Sequence, residues 1–141
     1  MKKLYSKCIV PILLAVLSFV LIIPSVFGQD SVEVKTDKLR VQYGTASFYH
    51  DKFVGRKTAT GELFRQDRLT AAHNTLPLGT YIRVTNMRNR KSVVVRINDR
   101  LHYRNPRLVD LSKAAAHKLG YVNSGLTRVK VEVLGKKPVS D

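Results

Sequence analysis

A carboxyl group fixed at the end of a rigid strand is well placed to move protons, and Asp99 has that setting. Ser92 to Ile97 reads as a strand built on three consecutive valines, and Asn98-Asp99 follow as its exit into a turn. Acid/base chemistry needs a positioned group more than any one residue type. Aspartate in a turn also bonds its own backbone, with Arg100 as a ready partner, so this stretch alone favours the simpler turn reading. Three other residues carry usable chemistry. Glu62, closing Thr58-Ala-Thr-Gly-Glu62, is by itself a solvated loop charge. His73, ending the short apolar run from Leu69, is by itself a structural histidine. Tyr49, at a strand end, suits either the core or the face of a sugar ring. His50, His102 and His117 show no ligand spacing with one another or with His73, so neither a metal nor another cofactor is expected.

The chain has 141 residues, 44% of them hydrophobic, enough for one domain with one core. Its formal charge of +15 points to an anionic partner: nucleic acid, acidic lipid or an acidic envelope polymer. The first residues choose among these. Residues 1–28 combine Lys2, Lys3 and Lys7, an apolar run from Cys8 to Ile23 and a short exit, with Val26 and Gly28 as small residues before a cleavage point. This reads as a secretory signal peptide, the alternative being an uncleaved anchor. Cys8 is the one cysteine and stands at the start of the apolar run, not after it, so no lipid anchor is expected, and cleavage leaves no thiol for disulfides, thiolate zinc or nucleophilic catalysis. An exported basic protein, periplasmic or envelope-associated, meets wall polymers or membrane surfaces and not nucleic acid.

The elements that must position these side chains follow in order. Residues 29–40 read as a linker. Val41 to Phe48 alternates as a strand, with Gly44 marking a bulge. His50 to Arg68 is a long loop, of the kind that is functional or mobile. Leu69 to His73 is a short apolar stretch, Leu76-Pro-Leu-Gly79 a turn, and Tyr81 to Asn86 a strand. Asn86 to Arg90 is a hairpin turn that lacks the usual glycine. After Ser92–Asp99 comes a basic loop to Arg107, then a short strand Leu108–Asp110. Asp110 or Ser112 caps a helix over Lys113–Leu119, and Gly120 stops it. Thr127 to Leu134 alternates as the last strand, and 136–141 is a tail. At least five short strands and one helix make a small closed barrel the simplest architecture over 41–135, since closure removes exposed edges.

Gly44-Thr-Ala-Ser-Phe-Tyr49, Gly55-Arg56, Thr58-Ala-Thr-Gly-Glu62, Leu69-Thr-Ala-Ala-His73, Leu76-Pro-Leu-Gly79, Val84-Thr-Asn86, Val94-Val-Arg-Ile-Asn-Asp-Arg100 and Asp110-Leu-Ser112 resemble, in order and spacing, the rare lipoprotein A (RlpA-like) family. These are septal-ring lytic transglycosylases, carbon–oxygen lyases related in fold to expansins. The resemblance implies a mainly β fold, a six-stranded double-psi β-barrel with one short helix. It implies a peptidoglycan glycan substrate, cut at the β-1,4 bond between N-acetylmuramic acid and N-acetylglucosamine with closure of the muramyl 6-hydroxyl on C1 to leave 1,6-anhydro ends. It also implies cell-division proteins as partners. On that resemblance Asp99 is the acid/base, Glu62 orients the sugar or stabilises oxocarbenium charge, and His73 supports them by bonding a carboxylate. Tyr49, Thr58, Asn98 and Arg100 would bind substrate. Asp110 is read as a helix cap and not as a catalyst.

The departures from the family pattern bear on activity. Phe48-Tyr49-His50 replaces Trp-Tyr-Gly, Val54 replaces a histidine, and Arg90 stands where the hairpin glycine is expected. Leu101-His102 replaces the Gly-Pro after Asn-Asp-Arg, where leucine resists backbone angles that glycine permits. The glycan-binding repeat domain of longer relatives is not expected in this chain. The competing function is a non-catalytic, expansin-like module that binds or loosens wall. A nucleic-acid or other polyanion binder is the third, and the signal peptide argues against nucleic acid.

Overall fold

The computed structural model describes residues 40–136; the segment expected to be a signal peptide, most of the expected linker and most of the expected tail lie outside the described residues. The element order is β1 (Val41–Phe48), β2 (Thr70–Ala72), β3 (Tyr81–Asn86), β4 (Ser92–Asp99), β5 (Val109–Leu111), α1 (Lys113–Leu119) and β6 (Thr127–Gly135). Single 3-10 turns sit at Asp51–Phe53 and Val122–Ser124. The six strands close into a barrel in the order β1-β5-β2-β4-β3-β6. β1 with β5 and β2 with β4 run parallel, and the remaining pairs are antiparallel. This is the double-psi barrel that the motifs implied.

Alternation explains the long strands. In β3, Ile82, Val84 and Asn86 point inward while Tyr81, Arg83 and Thr85 are only partly covered. In β4, Val93, Val95 and Ile97 do the same. With Val109, Leu111, Val129 and Val131 these side chains fill the barrel. Each such burial contributes roughly 1.5–3 kcal/mol. Helix α1 packs Ala115, Ala116 and Leu119 against it. Ser112 is its N-cap, its Oγ accepting from the Ala115 amide, and Gly120 ends it at φ 72°. Asn86 and Asn89 each donate to the Leu119 carbonyl at 2.9 Å, satisfying a carbonyl the helix leaves open.

Three expectations change. Asp110 is not the helix cap; it lies in β5 with its carboxylate on Arg107. Gly44 marks no bulge, since its pairing to Val129 runs in unbroken register. It is needed because a Cβ there would lie 2.6 Å from Leu108 Cβ. The register shift that matters falls between Ala71 and Ala72 in β2, which pairs Ala72 with Asp99 and skips Asn98. Leu101 raises no conflict, because Arg90, at φ 65°, is the one non-glycine residue with positive φ among those described.

The long loop is pinned rather than loose. Phe64 is buried, and paired backbone bonds between residues 55–58 and 62–64 fold the segment into a hairpin. Gln66 ties that hairpin down, donating to the Tyr49 carbonyl and accepting from the Lys113 amide, each at 2.7 Å.

Candidate active site

Asp99 ends β4 at the floor of an open cleft of about 440 Å³, lined also by Tyr49, Lys52, Phe53, Leu101, Arg107 and Asp110. Three donors hold its carboxylate. The Ala59 and Arg100 amides reach Oδ1 at 3.0 and 2.8 Å, and the Tyr49 hydroxyl reaches Oδ2 at 2.7 Å. A carboxylate oxygen has two acceptor lone pairs. Oδ1 is therefore saturated, while Oδ2 accepts one hydrogen bond among the described residues and has its second lone pair open.

Tyr49, considered above as a sugar platform or a core residue, lines the cleft and also has partners within the protein. Its ring packs against Phe64 and Phe53, with centroids 4.5 and 5.6 Å away. Burial, and then the hydrogen bond to Asp99, push its phenol well above the usual range, so it stays protonated and donates.

Glu62 lies outside this cleft, in a neighbouring depression with Arg96 and Tyr81. Arg96 Nη2 bridges both of its oxygens at 2.7 Å. That bond is the main cause holding the Glu62 carboxyl below its ordinary range, with Thr60 and Asn98 adding smaller hydrogen-bond contributions. Glu62 is thus a fixed negative charge. The loop between the two carboxylates connects them: Thr60 Oγ1 donates to Glu62, the Thr60 amide bonds the Asn98 carbonyl, and the Ala59 amide holds Asp99.

His73 is 1% exposed, and neither ring nitrogen reaches a carboxylate. Nδ1 accepts from the Thr75 and Leu76 amides, which leaves Nε2 to donate to Gln42 Oε1 at 2.9 Å. Burial, then the nearby Arg100 charge, lower its pKa to about 4, so the ring is neutral at physiological pH. The expected bond to a carboxylate gives way because the turn at residues 73–76 wraps round the ring. Its connection to Asp99 is through the backbone: the His73 amide donates to the Asp99 carbonyl, and Arg100 Nη1 bonds the His73 and Leu76 carbonyls at 2.5 and 2.8 Å.

Of the four residues expected to bind substrate, only Tyr49 and Arg100 line the cleft. Thr58 and Asn98 are buried and occupied internally, Thr58 with Thr60 and Asn98 with Glu62. Asp110 is the residue that sequence reasoning misplaced. Ala72 of β2 pairs with Asp99 on one side and Asp110 on the other. Two strand spacings put their backbones about 10 Å apart. Arg107 grips Asp110 through Nε and Nη2, both at 2.7 Å. The periodic Leu108-Val-Asp110 stretch showed a strand; nothing local showed which neighbour it would face.

The sequence model of the lytic transglycolase family matches residues 41–131. An endolytic peptidoglycan transglycosylase RlpA from Pseudomonas aeruginosa is 57% identical over 108 residues, 77% of this chain and 32% of that protein. One from Pasteurella multocida is 53% identical over 91 residues, 64% of this chain and 31% of that protein. The chain thus spans about a third of the length of these curated relatives. Among solved structures, an expansin from Clavibacter michiganensis superposes with a TM-score of 0.56 at 20% identity, over 70% of this chain and 52% of that one. The Streptomyces papain inhibitor does so with a TM-score of 0.54 at 20% identity, over 67% of this chain and 94% of that one. Both likenesses concern the barrel fold.

Proposed function

Because this chain belongs to the lytic transglycolase family, we propose that it cuts the β-1,4 bond between N-acetylmuramic acid and N-acetylglucosamine in peptidoglycan glycan strands without using water. The observation that carries this is the open lone pair on Asp99 Oδ2, at the floor of a solvent-accessible cleft. The Asp99 carboxyl gives a proton to the leaving oxygen as the C1–O bond breaks. It then takes the proton of the muramyl 6-hydroxyl as that oxygen bonds to C1. The carboxyl ends in its starting state and the product carries a 1,6-anhydro end.

The surrounding residues serve this cycle in different ways. Asp110, ion-paired to Arg107, supplies a second negative charge in the cleft for the oxocarbenium-like transition state. Glu62 acts as a positioning residue, its Arg96 clamp steadying the loop whose Ala59 amide grips Asp99. His73, through the turn it organises, anchors Arg100. A basic chain suits the anionic cell wall. The finer reading, export to the envelope and recruitment by cell-division proteins, rests on the signal-like first segment and on the resemblance to septal-ring enzymes.

The test is to incubate the purified chain with peptidoglycan and look for 1,6-anhydro-muramyl ends by mass spectrometry. Product from the parent, and loss of it in Asp99→Asn, is the expected pair of results. Binding without product favours the non-cutting, expansin-like module. Equal product from both chains removes Asp99 from the mechanism.

A further inference from the structure

Beside the catalytic cleft, and sharing Asn105 and Arg107 with it as a common wall, lies a second depression of about 510 Å³. Its floor and sides include Gln42, Tyr43, Asn74 and Thr75. We propose that this is a distal sugar subsite, in which the ring of Tyr43 receives a saccharide unit several positions along the strand from the bond at Asp99. The proposal deepens the glycan-cleavage reading and rests on it.

Tyr43 is 62% exposed, and neither its ring nor its hydroxyl has a partner among the described residues. Aromatic surface left open in this way on a rigid strand is a binding feature more than a packing one. Its neighbours explain the rigidity. Gln42 is held by His73 Nε2 at 2.9 Å, and Gly44 lies so tight under Leu108 that no Cβ fits between them. A platform held this firmly loses little freedom when a ligand arrives.

The lining identifies the ligand class. Amides from Gln42, Asn74 and Asn105 and the Thr75 hydroxyl surround one aromatic ring, with no acidic side chain and only Arg107 as a full charge. Arg107 spends Nε and Nη2 on Asp110, which offsets that charge and leaves other N–H donors. A neutral, hydroxyl-rich ring with an apolar face fits this set; a polyanion would call for clustered cations. Tyr43 and Tyr49 lie six positions apart, about 20 Å along extended chain, so a polymer threaded past Asp99 reaches Tyr43 only through several rings.

The experiment uses oligomers of N-acetylglucosamine as probes, titrated by NMR against the Asp99→Asn chain. Tyr43→Ala in that background is expected to weaken a hexamer roughly five- to tenfold while leaving a disaccharide, too short to span the groove, within twofold. Tyr43→Phe should keep the hexamer affinity, because the ring face and not the hydroxyl binds. Amide shifts on hexamer binding should include Gln42 and Asn105. Undiminished hexamer binding by Tyr43→Ala overturns the subsite and leaves the cleavage reading intact. So does an equal loss for both oligomers. If the parent binds no oligomer and releases no anhydro ends from peptidoglycan, the cleavage reading falls and the subsite falls with it.

Discussion

The hydroxyl of Tyr49 donates to Oδ2 of Asp99 at 2.7 Å, joining residues 50 positions apart in the chain. This bond occupies one of the two lone pairs on the oxygen assigned to proton transfer and so fixes where the other points. Tyr49→Phe keeps the ring packing on Phe53 and Phe64 and removes only the donor. We expect turnover to fall about tenfold, the loss of one hydrogen bond to a charged group, with KM nearly unchanged and a displaced pH–rate profile. A melting point within a few degrees of the parent, alongside unaltered kinetics, would sink the positioning role.

Glu62 and Arg96 separate stability from activity. Both side chains are partly exposed, so the pair contributes no more than about 1 kcal/mol to folding. Glu62→Gln should therefore unfold at nearly the same urea concentration as the parent, yet release anhydro ends at least tenfold more slowly as the loop at Ala59 loosens its hold on Asp99. Similar turnover in the variant would show that the loop does not need the clamp.

His73 makes the fold sensitive to acid. Its pKa in the folded chain, about 4, lies below the ordinary histidine value near 6.5, so the unfolded chain binds the proton first as pH falls. Stability from this group is present above about pH 6.5 and is lost progressively down to about pH 4. The loss approaches roughly 3 kcal/mol. Urea unfolding at pH 7 and pH 4.5 should show it. His73→Gln should be less stable at pH 7 but flatter between the two; equal slopes would refute the assignment.

Two backbone sites respond in opposite directions. Gly44→Ala drives a Cβ against Leu108 Cβ, an atom next to the backbone that cannot swing away, and should cost about 1–3 kcal/mol. Arg90→Gly relieves a left-handed residue at φ 65° and should gain about 0.5–1 kcal/mol, after the glycine's greater freedom in the unfolded chain is set against it. Thermal melts of both variants check the signs.

Cutting should also depend on Asp110. Asp110→Asn leaves the Arg107 charge in the cleft without its partner, and anhydro-end release should drop by an order of magnitude or more. Restoring most of the activity by adding Arg107→Met would show that the penalty came from the orphaned cation and not from the lost carboxylate.

The amino-acid sequence by itself determined β1, β3, β4, β6 and the helix with both its ends. Alternation at Val93, Val95 and Ile97 and Gly120 after the helix are local signals, readable without knowing what lies across the barrel, whereas the choice between Asp110 and Ser112 as the cap was not. The motif order carried the family and the barrel type as well. Only the tertiary structure decided that Asp99 shares its cleft with Asp110, that Arg96 holds Glu62 beside that cleft and that His73 turns to Gln42. The physical reason is that these pairings follow from strand order and from one register shift at Ala71/Ala72. Periodicity tells a side chain which face of its own strand it occupies, but it says nothing about which strand will close against it.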